Sequence, residues 1–448
     1  MSPTGSTRHS SDVRRVNAFT PPDVASGSLP HERPRHRQSR VAFRGNDHIP
    51  APGGDVYALD CPTQGYDWGS TDGIPRFRRH EGDGSPVAEV WMGTHPLGTA
   101  SVRLEEGNRP LTEVAGELGF MLKILAAERP LSIQVHPNAA RAEAGYAEED
   151  AAGIPLDSRE RVFKDRNPKP EMVYALSQFD TLVGFRPTAE ILRVLAGLDT
   201  PLTRRMAAEL RSKPGFKGIV QLVERRLMEP PSEQQVAEVV AACASALERG
   251  LDVKRAYLTA VEVDKHHPGD VGVVISLLLN RLTLQAGEAA YLDAGIIHAH
   301  LSGMCLEVMV SSDNVMRAGL TSKHIAPADM VQCLQEGMSR VARVTPELHG
   351  FSTDVYRPGL GDFALSVTQI SQAEPAGAVL PATGRRILVC TAGDVALVNQ
   401  HGQSLWMERG DVAYADDSDG ELRVVGTGEV AQAYQPENAH AGKLTDLV

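Results

Sequence analysis

The residues with the most chemical potential lie between Tyr291 and Ile325, in YLDAGIIHAHLSGMCLEVMVSSDNVMRAGLTSKHI. His298, His300, Glu307, Asp313, Arg317 and Lys323 fall within 26 residues there, interleaved with Val, Leu, Met and Ile. That interleaving predicts partly buried strands rather than a solvated charge run. Buried ionisable groups of both signs cost free energy unless each is paired, hydrogen-bonded or bound to a metal. A salt-bridge network inside a sheet meets that condition as well as a reactive site does, and this stretch alone leaves both readings open.

Two upstream segments add ligand-type side chains. In SIQVHPN, Ser132, Gln134 and His136 stand at period two and share one strand face, with Ile133 and Val135 on the other. In NPKPEMVYAL, Glu171 leads into an apolar run, where an edge-strand charge is the alternative to a buried functional one. Gln134, His136, Glu171 and His298 together offer an amide oxygen, two imidazoles and a carboxylate. That set suits a borderline divalent ion such as Zn²⁺ with positions left open. Spacing by itself does not join ligands from three distant segments. His266 and His267 adjoin a Pro-Gly turn and read as surface loop residues.

The elements that must position these groups can be read from the pattern around them. At 448 residues, two or three domains are expected. Residues 1–54, rich in Ser, Pro, Arg, His and Gly, read as a disordered basic tail; residues 1–50 hold eight Arg against four acidic groups. The rest of the chain is acidic within a net charge of −12, a poor platform for nucleic acid, so any anionic substrate needs local cations. No apolar run reaches membrane-spanning length and no signal peptide is evident, so a cytoplasmic protein without membrane partners is expected. Five scattered cysteines without a Cys-x-x-Cys pair predict reduced thiols and no thiolate zinc site.

Short apolar runs broken by Gly and Pro predict antiparallel strands over 55–99, 119–125 and 130–135, within a first β segment of 55–187. From 188 to 262 the spacing turns helical, with Ser232 and Gln235 as a capping box and Gly250 as a stop. Strands resume over 263–345, beginning with VGVVISLLLN, with a helix expected from Pro327 to Arg340. Residues 346–448 alternate short strands with Gly and Asp turns, a second β region without a comparable His, Glu and Lys cluster.

Several motifs, in order, resemble the type I phosphomannose isomerases, zinc enzymes of the cupin superfamily. They are GYDWGS (65–70), PVAEVWMGTHP (86–96), LKILAAERPLSIQVHPN (122–138), KPEM (169–172), GEAAYL (287–292) and LEVMVSSDNVMRAGLTSKH (306–324). The resemblance implies a mainly β fold in which a helical insertion splits a catalytic jelly roll, followed by a second cupin. It also implies one Zn²⁺ per chain held by Gln134, His136, Glu171 and His298, and interconversion of mannose 6-phosphate and fructose 6-phosphate. By position, Arg317, Glu307, Lys169 and Asp313 are expected to be catalytic, with Glu307 favoured as the base. Ser132, Lys123, Lys323 and His300 are expected to bind a small sugar phosphate, in a monomer or weak homo-oligomer. Two positions depart from the family pattern: Pro168 stands where a histidine is usual, and His300 where a tyrosine is usual. A sugar-phosphate-binding cupin without catalysis and a metal-dependent cupin oxygenase are the rival readings.

Overall fold

The computed structural model describes residues 56–335, 342–358 and 361–436. The basic tail lies outside the described residues; the helix expected over Pro327–Arg340 is shorter, spanning Pro327–Cys333 and ending at Leu334, where ψ of 134° is extended backbone.

Two antiparallel eleven-stranded sheets dominate the chain. The first is organised on the long strand His298–Val310, whose N-terminal half pairs with Phe179–Phe185 and Ile133–Val135. Its C-terminal half runs between Glu171–Ala175 and Phe120–Ala127. The changeover sits at Gly303, where φ is +109° and a Cβ would lie 2.3 Å from the Gln178 carbonyl oxygen. A side chain is therefore excluded at the point where the strand passes from one set of partners to the other. Glu89–Met92 and Thr63–Gln64 extend this sheet on one side, and Ala289–Leu292 and Ala342–Val344 on the other.

The second sheet gathers Thr353–Tyr356, Ala364–Ile370, Arg386–Val398, Val412–Ala415 and Arg423–Tyr434. It also recruits Tyr57–Asp60, which pairs with Val412–Ala415, so the first described strand joins the last region rather than its sequence neighbours. The outer face of the first sheet (Leu122, Ile124, Met172, Leu306, Val308) packs on Ile387, Val389, Val412, Tyr414 and Ala433 of the second in one apolar layer. Each such side chain contributes about 1.5–3 kcal/mol on burial.

Five helices, Thr188–Ala196, Pro201–Ser212, Phe216–Met228, Glu233–Glu248 and Ala256–Asp264, cover one flank of the first sheet. The capping box at Ser232 and Gln235 is present, and Gly250 takes the left-handed φ of +72° that ends the helix. Ile191, Val194, Leu202, Met206 and Val236 form one core with Ile133, Val135, Ile297 and Ala299. The apolar face of the Ile133–Val135 strand is thus sealed against the helices, which leaves Gln134 on the opposite side.

Two helices depart from the reading: Ala139–Ala151 interrupts the first segment read as strands, and the second replaces an expected strand. Val271–Ser276, expected as a strand, is a helix. Apolar residues on every side of a fully buried turn leave no periodicity to distinguish the two. Asp270 supplies the missing signal: its Oδ1 accepts from the backbone N–H of Gly272 at 2.6 Å and of Leu320 at 2.7 Å. It thereby caps the helix and pins it to the end of the strand Met316–Gly319.

Candidate metal centre

The pleat of three adjacent strands sets the site. Gln134 is registered against His298 on one side and Arg317 on the other, so three polar groups from distant sequence stand in one row. Glu171 begins a strand paired on both sides, with Ala289–Leu292 and with His298–Val310, and is fully buried. It is not an edge charge.

His136, Glu171 and His298 place ligand-type atoms within 4.8 Å of one another, all buried. Their second nitrogens fix the tautomers. His136 Nδ1 is 2.6 Å from the Asn314 carbonyl oxygen and His298 Nδ1 is 2.9 Å from that of Ile296, so both Nδ1–H groups donate outward. Both Nε2 lone pairs therefore point at Glu171. His298 Nε2 approaches Oε1 to 2.8 Å and His136 Nε2 approaches Oε2 to 3.6 Å. Among the described residues neither carboxylate oxygen receives a well-directed hydrogen bond. Converging lone pairs repel unless positive charge stands near them, which Lys169 supplies at one edge and a bound metal ion would supply among them. Burial, together with the nearby Lys169 charge, holds the His136 ring down at about 4, which keeps it neutral and ligating. Lys169 reaches the rim at 3.3 Å from Glu171 and 3.4 Å from His136. Burial alone would raise the Glu171 carboxyl, but the adjacent Lys169 charge leads the effects that outweigh it and hold that group well below its ordinary range. The Gln134 amide lies 3.2 Å from His298 Nε2, and half a turn of the amide presents its oxygen there instead. Two neutral imidazoles, a carboxylate and an amide oxygen fit a borderline divalent ion with open positions.

A second group, Glu171, His300 and Glu307, is also within ligating distance. It already carries its own countercharge. Lys123 Nζ is 2.9 Å from Glu307 Oε2 and 3.7 Å from Glu89, whose other oxygen accepts from Trp91 Nε1 at 2.7 Å. Burial alone raises the Glu307 carboxyl, but Lys123 outweighs it and brings the group down to about 2; Lys123 is raised in turn despite its own burial. His300 is held between Thr181 Oγ1 at 3.1 Å and Glu307 Oε1 at 3.4 Å. His300 and Glu307 are thus already engaged by Thr181 and Lys123, which ties this second group into the sheet.

Beside the centre opens a cavity of about 1490 Å³, lined by Ser132, Gln134, Lys123, Lys169, Asp313, Arg317 and Lys323 among others. Glu307 and His300 share its wall, and the remaining sequence-predicted site residues, His136, Glu171 and His298, form the buried triad behind Gln134 and Lys169. The structure therefore brings all twelve together. Arg317 has no carboxylate partner among the described residues, and burial lowers it from its ordinary value. Lys323 is exposed at the mouth, 5.6 Å from the Tyr66 ring, and His266 and His267 line the same rim. Asp313 faces His95, with Oδ1 3.3 Å from the ring Nε2. The other ring nitrogen accepts from the Leu97 N–H at 3.2 Å, so the proton between His95 and Asp313 is on the histidine. The sequence reading passed over His95, Glu89 and Trp91. Their signal was present in EVWMGTH, where Glu89, Trp91 and His95 alternate with apolar residues.

Residues 56–188 match the family described as phosphomannose isomerase type I, catalytic domain. The mannose-6-phosphate isomerase of Escherichia coli (strain K12) is 33% identical over 394 residues, covering 83% of this chain and 97% of the relative. The Homo sapiens mannose-6-phosphate isomerase is 28% identical over 404 residues, covering 80% and 93%. Among solved structures, a zinc-bound mannose 6-phosphate isomerase superposes with a TM-score of 0.76 at 30% identity, over 85% of this chain and 99% of that one. The Salmonella typhimurium mannose 6-phosphate isomerase bound to substrate and to zinc gives 0.75 at 30% identity, with the same coverage. Site geometry, sequence and fold agree, and the chain belongs to the type I mannose-6-phosphate isomerase family.

Proposed function

We propose that this protein is a zinc-dependent aldose-ketose isomerase that interconverts mannose 6-phosphate and fructose 6-phosphate through an enediol. The observation that carries the reading is the convergence of two imidazole lone pairs and a buried carboxylate behind the Gln134 and Lys169 wall of a cavity that also presents Arg317. His136, Glu171 and His298, with the Gln134 amide, would hold Zn²⁺, which when bound orients sugar oxygens and draws electron density from the carbonyl.

The remaining steps fall to the chain's own side chains. Moving a proton between C1 and C2 needs a base at that edge and positive charge for the oxyanion character that develops. Arg317, adjacent to Gln134 in register and without a competing carboxylate, supplies that charge. Lys323 attracts the phosphate at the mouth, and Ser132 and Lys169 hold sugar hydroxyls. Lys123 and His300 shape the wall through Glu307. Both oxygens of Glu307 are engaged, whereas Asp313, which lines the cavity, has one oxygen engaged by His95. We therefore assign the base to Asp313 rather than to Glu307. A coupled assay from mannose 6-phosphate to fructose 6-phosphate, run with and without chelator, tests the activity; no turnover by zinc-loaded protein ends the reading. Asp313→Asn is expected to abolish solvent hydrogen exchange at C2 and Glu307→Gln to retain it, and the reverse pattern returns the base to Glu307.

The finer organisation is proposed on the same footing: a catalytic cupin over 55–187 and 263–345, a helical domain over 188–262 and a second cupin over 346–448. So are a cytoplasmic location and a monomeric or weakly associating state, with neither nucleic acid nor membrane as partner. No described helix is long and apolar enough to cross a membrane, and the five cysteines are free and buried.

A further inference from the structure

The turn between the strands His298–Val310 and Met316–Gly319 carries more hydrogen bonds than its length needs. Asn314 is completely buried within it. Its side-chain oxygen accepts from the backbone N–H of Lys164 at 2.7 Å and of Asp165 at 3.2 Å. Its amide nitrogen donates to the carbonyls of Asp165 and Asn167, both at 2.9 Å, and to Asp165 Oδ1 at 3.2 Å. Ser312 Oγ donates to Asp165 Oδ1 at 2.9 Å and accepts from the Asn314 N–H at 3.2 Å, and the Asp313 N–H donates to Asp165 Oδ2 at 2.7 Å. The backbone carbonyl of the same Asn314 receives the His136 Nδ1–H at 2.6 Å.

We infer that Asn314 is a positioning residue for the metal centre. It clamps the segment 164–167, which leads directly to Lys169 and Glu171, onto the turn whose carbonyl orients His136. One side chain thus fixes the approach of two ligands from separate parts of the sequence, and the same clamp presents Asp313 to the cavity. A carbonyl that selects a ligand tautomer and holds its ring plane contributes to affinity without touching the metal. The inference rests on the zinc reading above, and its test separates the two.

Zinc affinity of the full-length protein is measured by competition with a chromophoric chelator, alongside the melting temperature of the metal-free protein. Asn314→Ala is expected to weaken zinc by roughly 10- to 100-fold, with kcat recovering toward wild type as free zinc is raised. Ser312→Ala and Asp165→Ala, which each remove only part of the clamp, are expected to shift affinity in the same direction by less, and they serve if Asn314→Ala does not fold. Wild-type zinc affinity, within twofold, in a folded variant overturns the inference while leaving the metal reading intact. Weaker zinc that no added metal corrects, with the melting temperature of the metal-free protein lowered in step, overturns it in favour of a purely structural role. A wild-type chain that takes up no zinc at His136, Glu171 and His298 overturns both.

Discussion

The two sheets have the same number of strands and pack back to back, yet their other faces have opposite characters. The first turns Lys123, Glu307, Glu89, Glu171, His298 and His300 inward, all buried. The second fills the equivalent interior with Leu388, Cys390, Val395, Leu397, Met407 and Val424. Its buried polar groups there are mostly uncharged and paired with each other, as in Thr353 with Thr368 at 2.8 Å and Gln432 with Ser366 at 3.3 Å. Shared architecture therefore says little about activity; chemistry resides in which positions of the pleat carry ionisable groups. The first sheet gathers buried charges of both signs in one cluster, whereas the second buries Arg386 alone among backbone carbonyls.

The largest effect expected from this contrast is at the ligand carboxylate. Glu171→Gln removes the only anionic ligand while keeping its shape, and it should abolish stoichiometric zinc binding and lower kcat/KM by roughly 10³-fold or more. Metal analysis together with the coupled assay checks this. Retained zinc would mean that the lone-pair convergence is compensated in some other way. Next in size is Arg317→Ala, for which a loss of about 10²–10³ in kcat is expected, as for removal of one preorganised charge-stabilising donor. Zinc content should be unchanged, which separates the cation's role from the metal's.

The Lys123–Glu307 pair tests whether buried charge in the first sheet is structurally costly. Lys123→Met leaves Glu307 without its nearest cation and is expected to destabilise the fold by about 3–5 kcal/mol in urea titrations. Lys123→Met with Glu307→Gln should recover much of that loss. The pH dependence follows from the sign of the shift. Glu307 binds its proton at about 2 when folded and near the ordinary carboxylate value of 4.5 when unfolded. The unfolded chain therefore takes up the proton first as pH falls. The pair's contribution is complete above about 4.5 and gone below about 2, and Glu307→Gln should flatten that part of the stability profile.

Legibility in the sequence followed the same division. Period-two and period-3.6 patterns are consequences of one-sided burial, so the strands around Gln134 and the helices from Thr188 onward could be read directly. Val271–Ser276 could not, because burial on all sides erases periodicity. The recruitment of Tyr57–Asp60 into the second sheet was also hidden, since pairing with a strand at the far end of the chain leaves no local trace. In the site, residue types suggested a metal set, but only the family resemblance joined Gln134, His136, Glu171 and His298 before the fold was known. The register of three strands then gave the physical reason. What neither composition nor resemblance indicated was the support: His95 behind Asp313 and Asn314 behind His136 act through hydrogen bonds between segments far apart in sequence.

The smallest expected effect lies in the second sheet. Gln432 is completely buried, its amide nitrogen donates to Ser366 Oγ, and among the described residues its Oε1 has no partner. Gln432→Leu removes a carbonyl that is already unsatisfied, together with one weak donor, and replaces them with apolar volume in a region with no reactive group to disturb. Removing the unsatisfied carbonyl relieves its desolvation cost, and that gain offsets the loss of the long 3.3 Å bond to the buried Ser366 Oγ. Stability should change by less than about 1 kcal/mol in either direction, and kcat and KM should stay within about twofold of wild type, measured with zinc saturating. A marked fall in kcat would show that the second sheet takes part in the reaction and that the two regions are not functionally separate.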